Sequence, residues 1–421
     1  MKLFGFSISR DKEQNYPSPV SPTSDATLNL DSSPGFLNPY MSVMDVSGNV
    51  KNENDMIDRY REIVHQVQEV GMAVDEIAQE AIITDDMNSP IVELNMEKLE
   101  LQDNIKEMIT EEFNYLIGLL KFDSNGYEIF RNWYIDGRIY YHVIIDPEMP
   151  QSGILELRYI DSKKIKKVRE ITRNPGEVAG LNSIANIKEY FVYTENPNAT
   201  ANGVTMATAV QNAPVPMPKD SIAFANSGLL DPSRTMVISY LHDSLRPANN
   251  LRMMEDALLI YRLTRAPERR VFYIDTGDLP KGAAEQYMQE QANKYKTKIV
   301  YDTSTGAIKN DKRYIAMTED YWIPRMNGST STQIDTLEGG ANVGETGDAD
   351  FFLDRVYKAL KVPKSRFDDV PSMFSNGAEI TRDEVRFSRF ITRLRARFSM
   401  LFQDILGKQL ILTGIMAPEE W

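Results

Sequence analysis

Two short runs carry residue types in the order that aspartic peptidases use: Phe272-Tyr273-Ile274-Asp275-Thr276-Gly277 and a partial second copy, Val300-Tyr301-Asp302-Thr303-Ser304. That chemistry needs two carboxylates about 3 Å apart sharing one proton, which a single chain achieves by drawing one from each of two lobes. Asp275 and Asp302 are too close in sequence for separate lobes, with a predicted helix between them. A hydrolase using Asp275 in a homodimer is the formal alternative. The turn reading, in which Asp and Thr side chains bond their own backbone, accounts for both runs.

Other reactive combinations fail on spacing. His242-Asp243-Ser244 holds the three residue types of a triad, but adjacent side chains cannot face one another, and no serine sits in a nucleophile-elbow pattern. Gly339-Gly340-Ala341-Asn342-Val343-Gly344 lacks the Lys-Ser/Thr that completes a phosphate-binding loop and reads as a connector. The chain has no cysteine, which removes disulfides, thiolate nucleophiles and cysteine-ligated metals. Its three histidines, His65, His142 and His242, are not at helical ligand spacing. Spacing thus leaves no complete catalytic or metal site within one chain, and no cofactor is expected.

Two basic features remain. Lys163, Lys164, Lys166, Lys167, Arg169 and Arg173 form a local cluster. Arg382, Arg386, Arg389, Arg393 and Arg397 recur at helical steps, opposite Phe387, Ile391, Leu394 and Phe398. Like charges stacked at that spacing repel by a few tenths of a kcal/mol per pair, so acidic partners are expected. These come from local salt bridges, from a neighbouring subunit, or, least favoured, the stripe meets phosphates.

A chain of 421 residues implies two to four structural units. A formal charge of −14 excludes a dedicated nucleic-acid wrapper. No apolar run reaches membrane-spanning length. Residues 1–50, rich in Ser, Pro, Asp and Asn, are expected to be a flexible arm. Apolar residues at three- and four-residue steps predict one helix over about 54–83 and another through Leu99, Ile105, Ile109, Phe113 and Ile117. Aromatic and β-branched runs flanking Asp136-Gly137 predict a hairpin over 127–146 with a type I′ turn. Strands are expected at Leu155 to Ile160 and Glu189 to Tyr193, and an unpacked loop from Asn196 to Pro218.

Beyond Pro247 the pattern is helical again, with a helix stopped by Pro267, a second starting near Pro280, a strand-bearing insert over about 298–344, a third helix from Asp348 to Leu360, a loop, and one long helix from Thr381 to about Leu412. The fold class is α+β, mainly helical.

Three segments carry a family resemblance: Arg265-Ala266-Pro267-Glu268-Arg269-Arg270, Met317-Thr318-Glu319-Asp320-Tyr321-Trp322 and Ala359-Leu360-Lys361-Val362-Pro363-Lys364-Ser365-Arg366. In these and in their order the chain closely resembles the portal proteins of myovirus-type, contractile-tailed bacteriophages, from about residue 50 onward. The resemblance implies a portal fold with wing (51–276), first stem helix (277–297), clip (298–344), second stem helix (345–363), tunnel loop (364–380) and a long helix (381–421) returning into the wing. It implies a C-terminal crown that is missing here, the chain ending where that helical region begins.

The function implied is a homododecameric ring at the unique capsid vertex, a head-tail connector that initiates head assembly and lets double-stranded DNA in at packaging and out at ejection. The partners implied are the major capsid protein, scaffold proteins, the large terminase ATPase and then neck or head-completion proteins. Location follows as the virion, with assembly in the host cytoplasm or at the inner face of the host membrane. Carried onto this chain, tunnel-loop candidates are Lys364, Arg366, Asp368, Asp369, Met373, Phe374 and Asn376. Terminase-facing clip candidates are Lys309, Asn310, Asp311, Lys312 and Arg313, and the five arginines of the stripe become candidates for the joint between subunits. A net negative duct would repel phosphates and let DNA slide. The rival structural reading is a tail or baseplate ring, which differs in symmetry.

Overall fold

The apolar stripe that opens at Ile57 is carried by two helices, not one. In a continuous helix at ~100° per residue, Val70 would lie about 140° around from Ile57, so steps of three residues rotate the stripe off the core. The chain re-phases it by placing Val67 in extended conformation (φ −112°, ψ 105°), ending α1 (Pro39–Gln66) and starting α2 (Gln68–Ala81). Ile57, Tyr60, Val70, Val74 and Ile77 are all buried as a result.

The structure is a computed structural model describing residues 2–3, 6–7, 27–31, 39–83, 90–97, 99, 101–174, 183–195, 214–232, 236–265, 269–276, 279–295, 300–302, 307–309, 321–325, 333–337, 347–367 and 377–417. Within the expected arm, strands β1 (Lys2–Leu3) and β2 (Phe6–Ser7) pair with each other, β3 (Leu28–Asp31) pairs with a strand far along the chain, and α1 begins at Pro39. Proline suits a first helical turn, but an offered sheet edge leaves no mark in the local sequence of the strand that joins it.

Helices α3 (Asp103–Leu120) and α4 (Phe122–Asp136) meet at Lys121, which takes a left-handed conformation at φ 49°. The hairpin expected over 127–146 does not form. Its first half is α4, because Phe122, Ile129, Phe130, Trp133 and Tyr134 also recur at helical steps and are buried on it. Gly137 does take positive φ (72°), as a helix C-cap whose N–H bonds Trp133 O at 2.8 Å. Only the second half is a strand, β4 (Arg138–Ile145), and its hairpin partner is β5 (Ile154–Ile160).

The middle sheets follow. β6 (Ile165–Asn174), β7 (Ser183–Tyr193) and β8 (Val215–Pro218) form the order β3-β6-β7-β8, and β9 (Ile222–Asn226) completes β5-β4-β9. Residues 196–213 of the expected loop lie outside the described residues. Its end is β8, where Pro216 and Pro218 are tolerated because the strand pairs on one side only.

Then come α5 (Leu245–Arg265), β10 (Arg269–Asp275), α6 (Lys281–Tyr295), β11 (Val300–Asp302), β12 (Ala307–Lys309), β13 (Tyr321–Arg325), β14 (Gln333–Leu337) and α7 (Gly347–Leu360). The predicted long helix is present as α8 (Gly377–Phe398) and α9 (Met400–Leu412). Only Ser399 stands between them; it keeps right-handed helical angles, and its hydroxyl donates to Ala396 O at 3.0 Å.

The chain divides into two compact units, Met1–Leu245 with Tyr357–Trp421, and Arg246–Val356. The first is centred on aromatic rings: Phe398 meets Phe130, Trp133 and Phe402 at 5.2, 5.3 and 5.6 Å, and Phe122 meets Phe402 at 5.0 Å. A satellite core of Tyr140, Ile160, Ile165, Phe191 and Ile222 lies between the two middle sheets. In the second unit β10 is the centre of a sheet ordered β13-β10-β14, and β11 pairs only with β12. Asp275 and Asp302 therefore end strands of different sheets.

Candidate functional site

The segment read as a tunnel loop leaves α7 through a tight corner. Lys361 takes φ 63°, Pro363 precedes a single turn over Lys364–Arg366, and the rings of Tyr357 and Phe367 stack at 4.8 Å. The corner is pinned by Arg366. Its guanidinium reaches Glu76 at 2.6 Å and Glu80 at 3.1 Å on α2, and Glu384 at 3.1 and 2.6 Å on α8, while lying 4.4 Å over the Phe387 ring. Hydrogen bonds that Arg366 donates to Glu384, Glu76 and Glu80 outweigh partial desolvation and hold it above its ordinary pKa. A planar fork can serve carboxylates on two helices and a ring at once; an ammonium cannot. Lys364 is half-buried in the same turn, and Asp368, Asp369, Met373, Phe374 and Asn376 lie outside the described residues.

The arginine stripe divides. Arg382, Arg386, Arg389 and Arg393 are exposed on α8, and Phe387, Ile391, Leu394 and Phe398 are buried on its opposite side, as the spacing predicts. Arg386 lies 3.4 Å from Asp383, a pair open to solvent on both sides; Arg382, Arg389 and Arg393 have no ion-pair partner among the described residues. Arg397 departs from the rest. It is half-buried, donates from Nε to Asn226 O at 3.0 Å and also bonds the Asn226 side-chain oxygen. It fixes α8 to the end of β9. Of the clip candidates, Lys309 ends strand β12, and Asn310, Asp311, Lys312 and Arg313 lie outside the described residues.

Cations of the 163–173 cluster meet carboxylates from other elements: Lys163 pairs with Asp58 at 2.7 Å, Lys166 with Glu53 at 2.6 Å, and Arg169 with Glu189 at 2.5 Å. Sequence reasoning missed these carboxylates, and also Arg395, which caps α2 by donating to Ala81 O at 2.9 Å and Glu80 O at 2.6 Å. It missed Arg61 as well, which ties α1 to Asp136 at 2.6 Å and to Asp161 at 2.8 Å. An odd cation near an apolar stripe was the available signal, but its partner is set by tertiary packing.

Residues 53–421 match the family described as Bacteriophage T4-like portal protein (Gp20). The portal protein of Vibrio phage KVP40 is 40% identical over 376 residues, covering 87% of this chain and 71% of that protein. The portal protein of Salmonella phage ViI is 36% identical over 376 residues, covering 87% of this chain and 66% of that one. Among solved structures, the neck of a native GTA particle computed with C12 symmetry aligns with a TM-score of 0.39 at 13% identity, over 81% of this chain and 77% of that one. With one family match running from the start of the α1 core to the last residue, and with relatives this similar over most of their length, the chain belongs to the T4-like portal protein family, structural head-tail connectors of bacteriophage virions.

Proposed function

We propose that this chain assembles as a homododecamer at the unique capsid vertex and forms the conduit for double-stranded DNA at packaging and ejection, without itself catalysing a reaction. The observation that carries this is family membership across residues 53–421. In this reading residues 51–276 are the wing, 277–297 and 345–363 the stem, 298–344 the clip, 364–380 the tunnel loop, and the helices after 381 the return into the wing. A separate compact unit at Arg246–Val356 supports a distinct stem and clip. A corner held by Arg366 supports a loop with one fixed end.

Lys309 and the residues through Arg313 would face the large terminase ATPase and later the neck or head-completion proteins. Arg382, Arg386, Arg389 and Arg393 would meet carboxylates of the next subunit, which suits a strongly acidic chain with cations left on an exposed helix face. The major capsid protein and scaffold proteins would contact the outer surface, during head assembly in the host cytoplasm or at the inner face of its membrane. The test is electron microscopy of the purified protein in end-on views. Twelve subunits around a hole wide enough for duplex DNA are expected; sixfold or threefold rings would replace the conduit with a tail component.

A further inference from the structure

Strands β4, β6 and β9 and helix α9 enclose a cavity of about 340 Å³ in the first unit. Its apolar wall includes Tyr140 and Phe224, whose rings stack at 6.2 Å. Its charged lining is one-sided: five cations, Arg138, Lys166, Lys167, Lys219 and Arg397, against two carboxylates, Glu53 and Asp404. In a chain of net charge −14 this imbalance runs against the average.

Neither carboxylate is free to correct it. Glu53 is buried and divided between Arg138 and Lys166, and Asp404 is engaged by Lys408 at 2.7 Å. Arg397 meets two neutral oxygens of Asn226. Lys219, half-exposed at the mouth, has Glu189 at 3.4 Å, and Lys167 has the same carboxylate at 3.3 Å, one already bonded to Arg169. Deeper in, Arg138 Nε is buried without a hydrogen-bond acceptor, and Lys166 is buried against Glu53 at 2.6 Å. Buried donors left in this state are rare, and excess cation in a sheltered site costs free energy unless an anion offsets it.

We propose that this cavity binds a small polyphosphate anion. Arginine forks and lysine point charges converging on a confined space suit phosphate oxygens. The volume lies at the small end of ligand pockets, enough for a diphosphate group but not for a duplex. The assignment stands whether or not the ring reading above holds.

The test is thermal melting of the full chain in sodium pyrophosphate, with sodium chloride at matched ionic strength and a short DNA duplex as separate arms. A ligand that binds only the folded state raises the melting temperature, and the rise grows with the logarithm of its concentration once that exceeds Kd. Pyrophosphate alone is expected to do so. The Kd fitted to that rise should weaken at least tenfold in Lys219→Gln, a mouth residue whose loss spares the core, and stay unchanged in Arg386→Gln on the exposed stripe. Glu53→Gln should melt lower without ligand and rise further with it than the parent does. An equal rise with chloride or with duplex DNA, or an undiminished response in Lys219→Gln, would overturn the assignment.

Discussion

Arg366 shows how one side chain converts a predicted loop residue into a structural node. It stands on the segment where the resemblance placed DNA-facing groups, yet its guanidinium is spent on Glu76, Glu80 and Glu384. Arg366→Ala is expected to destabilise by about 1–2 kcal/mol, the range of partly exposed charge-assisted networks. Arg366→Lys should recover less than half of that, because an ammonium lacks the fork. Urea titration monitored by tryptophan fluorescence reads both. Carboxylates give a matching acid response. Burial alone would raise Glu53, but Arg138 and Lys166 outweigh it and hold the group below its usual 4.5. Asp161 sits below its usual 3.8, where burial is outweighed by Arg61. A depressed folded-state pKa contributes stability above the unfolded value that is lost as pH falls through the folded one. The melting temperature should therefore hold steady above about pH 5 and drop below pH 4.5. Glu53→Gln should flatten part of that acid limb, and a limb unchanged in the variant would remove Glu53 from the account.

Two of the left-handed residues at element ends, Gly137 and Lys121, carry opposite expectations. Gly137 ends α4 at φ 72°, and a Cβ there would come within 2.9 Å of Ile238 O and of the Ser239 Cα. Gly137→Ala should cost about 2–3 kcal/mol, combining backbone strain with a clash against backbone that cannot easily move. Lys121 joins α3 to α4 at φ 49° with an exposed side chain, so it carries the strain without a packing role. Lys121→Gly should be neutral or stabilising by up to about 1 kcal/mol, relief of strain exceeding the added freedom of the unfolded chain. Differential scanning calorimetry of the pair, one falling and one holding or rising, separates a left-handed requirement from a general intolerance of substitution.

At the scale of the molecule the open question is what covers the cationic face of α8. Arg386→Glu with Arg389→Glu should leave the protomer's melting temperature unchanged, since both side chains are exposed and only Arg386 has a partner, Asp383, at 3.4 Å. The same double reversal should shift the assembly to smaller species in analytical ultracentrifugation. Raised salt should act in the same direction on the parent, because exposed charges are screened within about 8–10 Å at ordinary ionic strength. An assembly indifferent to both would move the subunit joint elsewhere.

Local periodicity alone determined most helices: α3, α5, α6, α7 and the α8–α9 pair lie where apolar spacing and proline put them, and the buried face of α8 is legible from Phe387, Ile391, Leu394 and Phe398. Sequence spacing also set Asp275 and Asp302 against a shared-proton site, and motif order was enough to point to the family. Tertiary structure decided what spacing leaves degenerate. Phe130, Trp133 and Tyr134 suit a strand or a helix, and contact with Phe398 and Tyr240 selects the helix. Arg397 and Arg393 are equivalent in sequence, and only the approach of Asn226 makes one a strut and leaves the other in solvent. A charge cluster names its cations but not its carboxylates, since Glu53, Asp58 and Glu189 come from other elements. The physical reason is common to all three. A local pattern records which face of an element is apolar, whereas the partner of a buried charge and the phase of an ambiguous run depend on contacts between residues far apart in the chain.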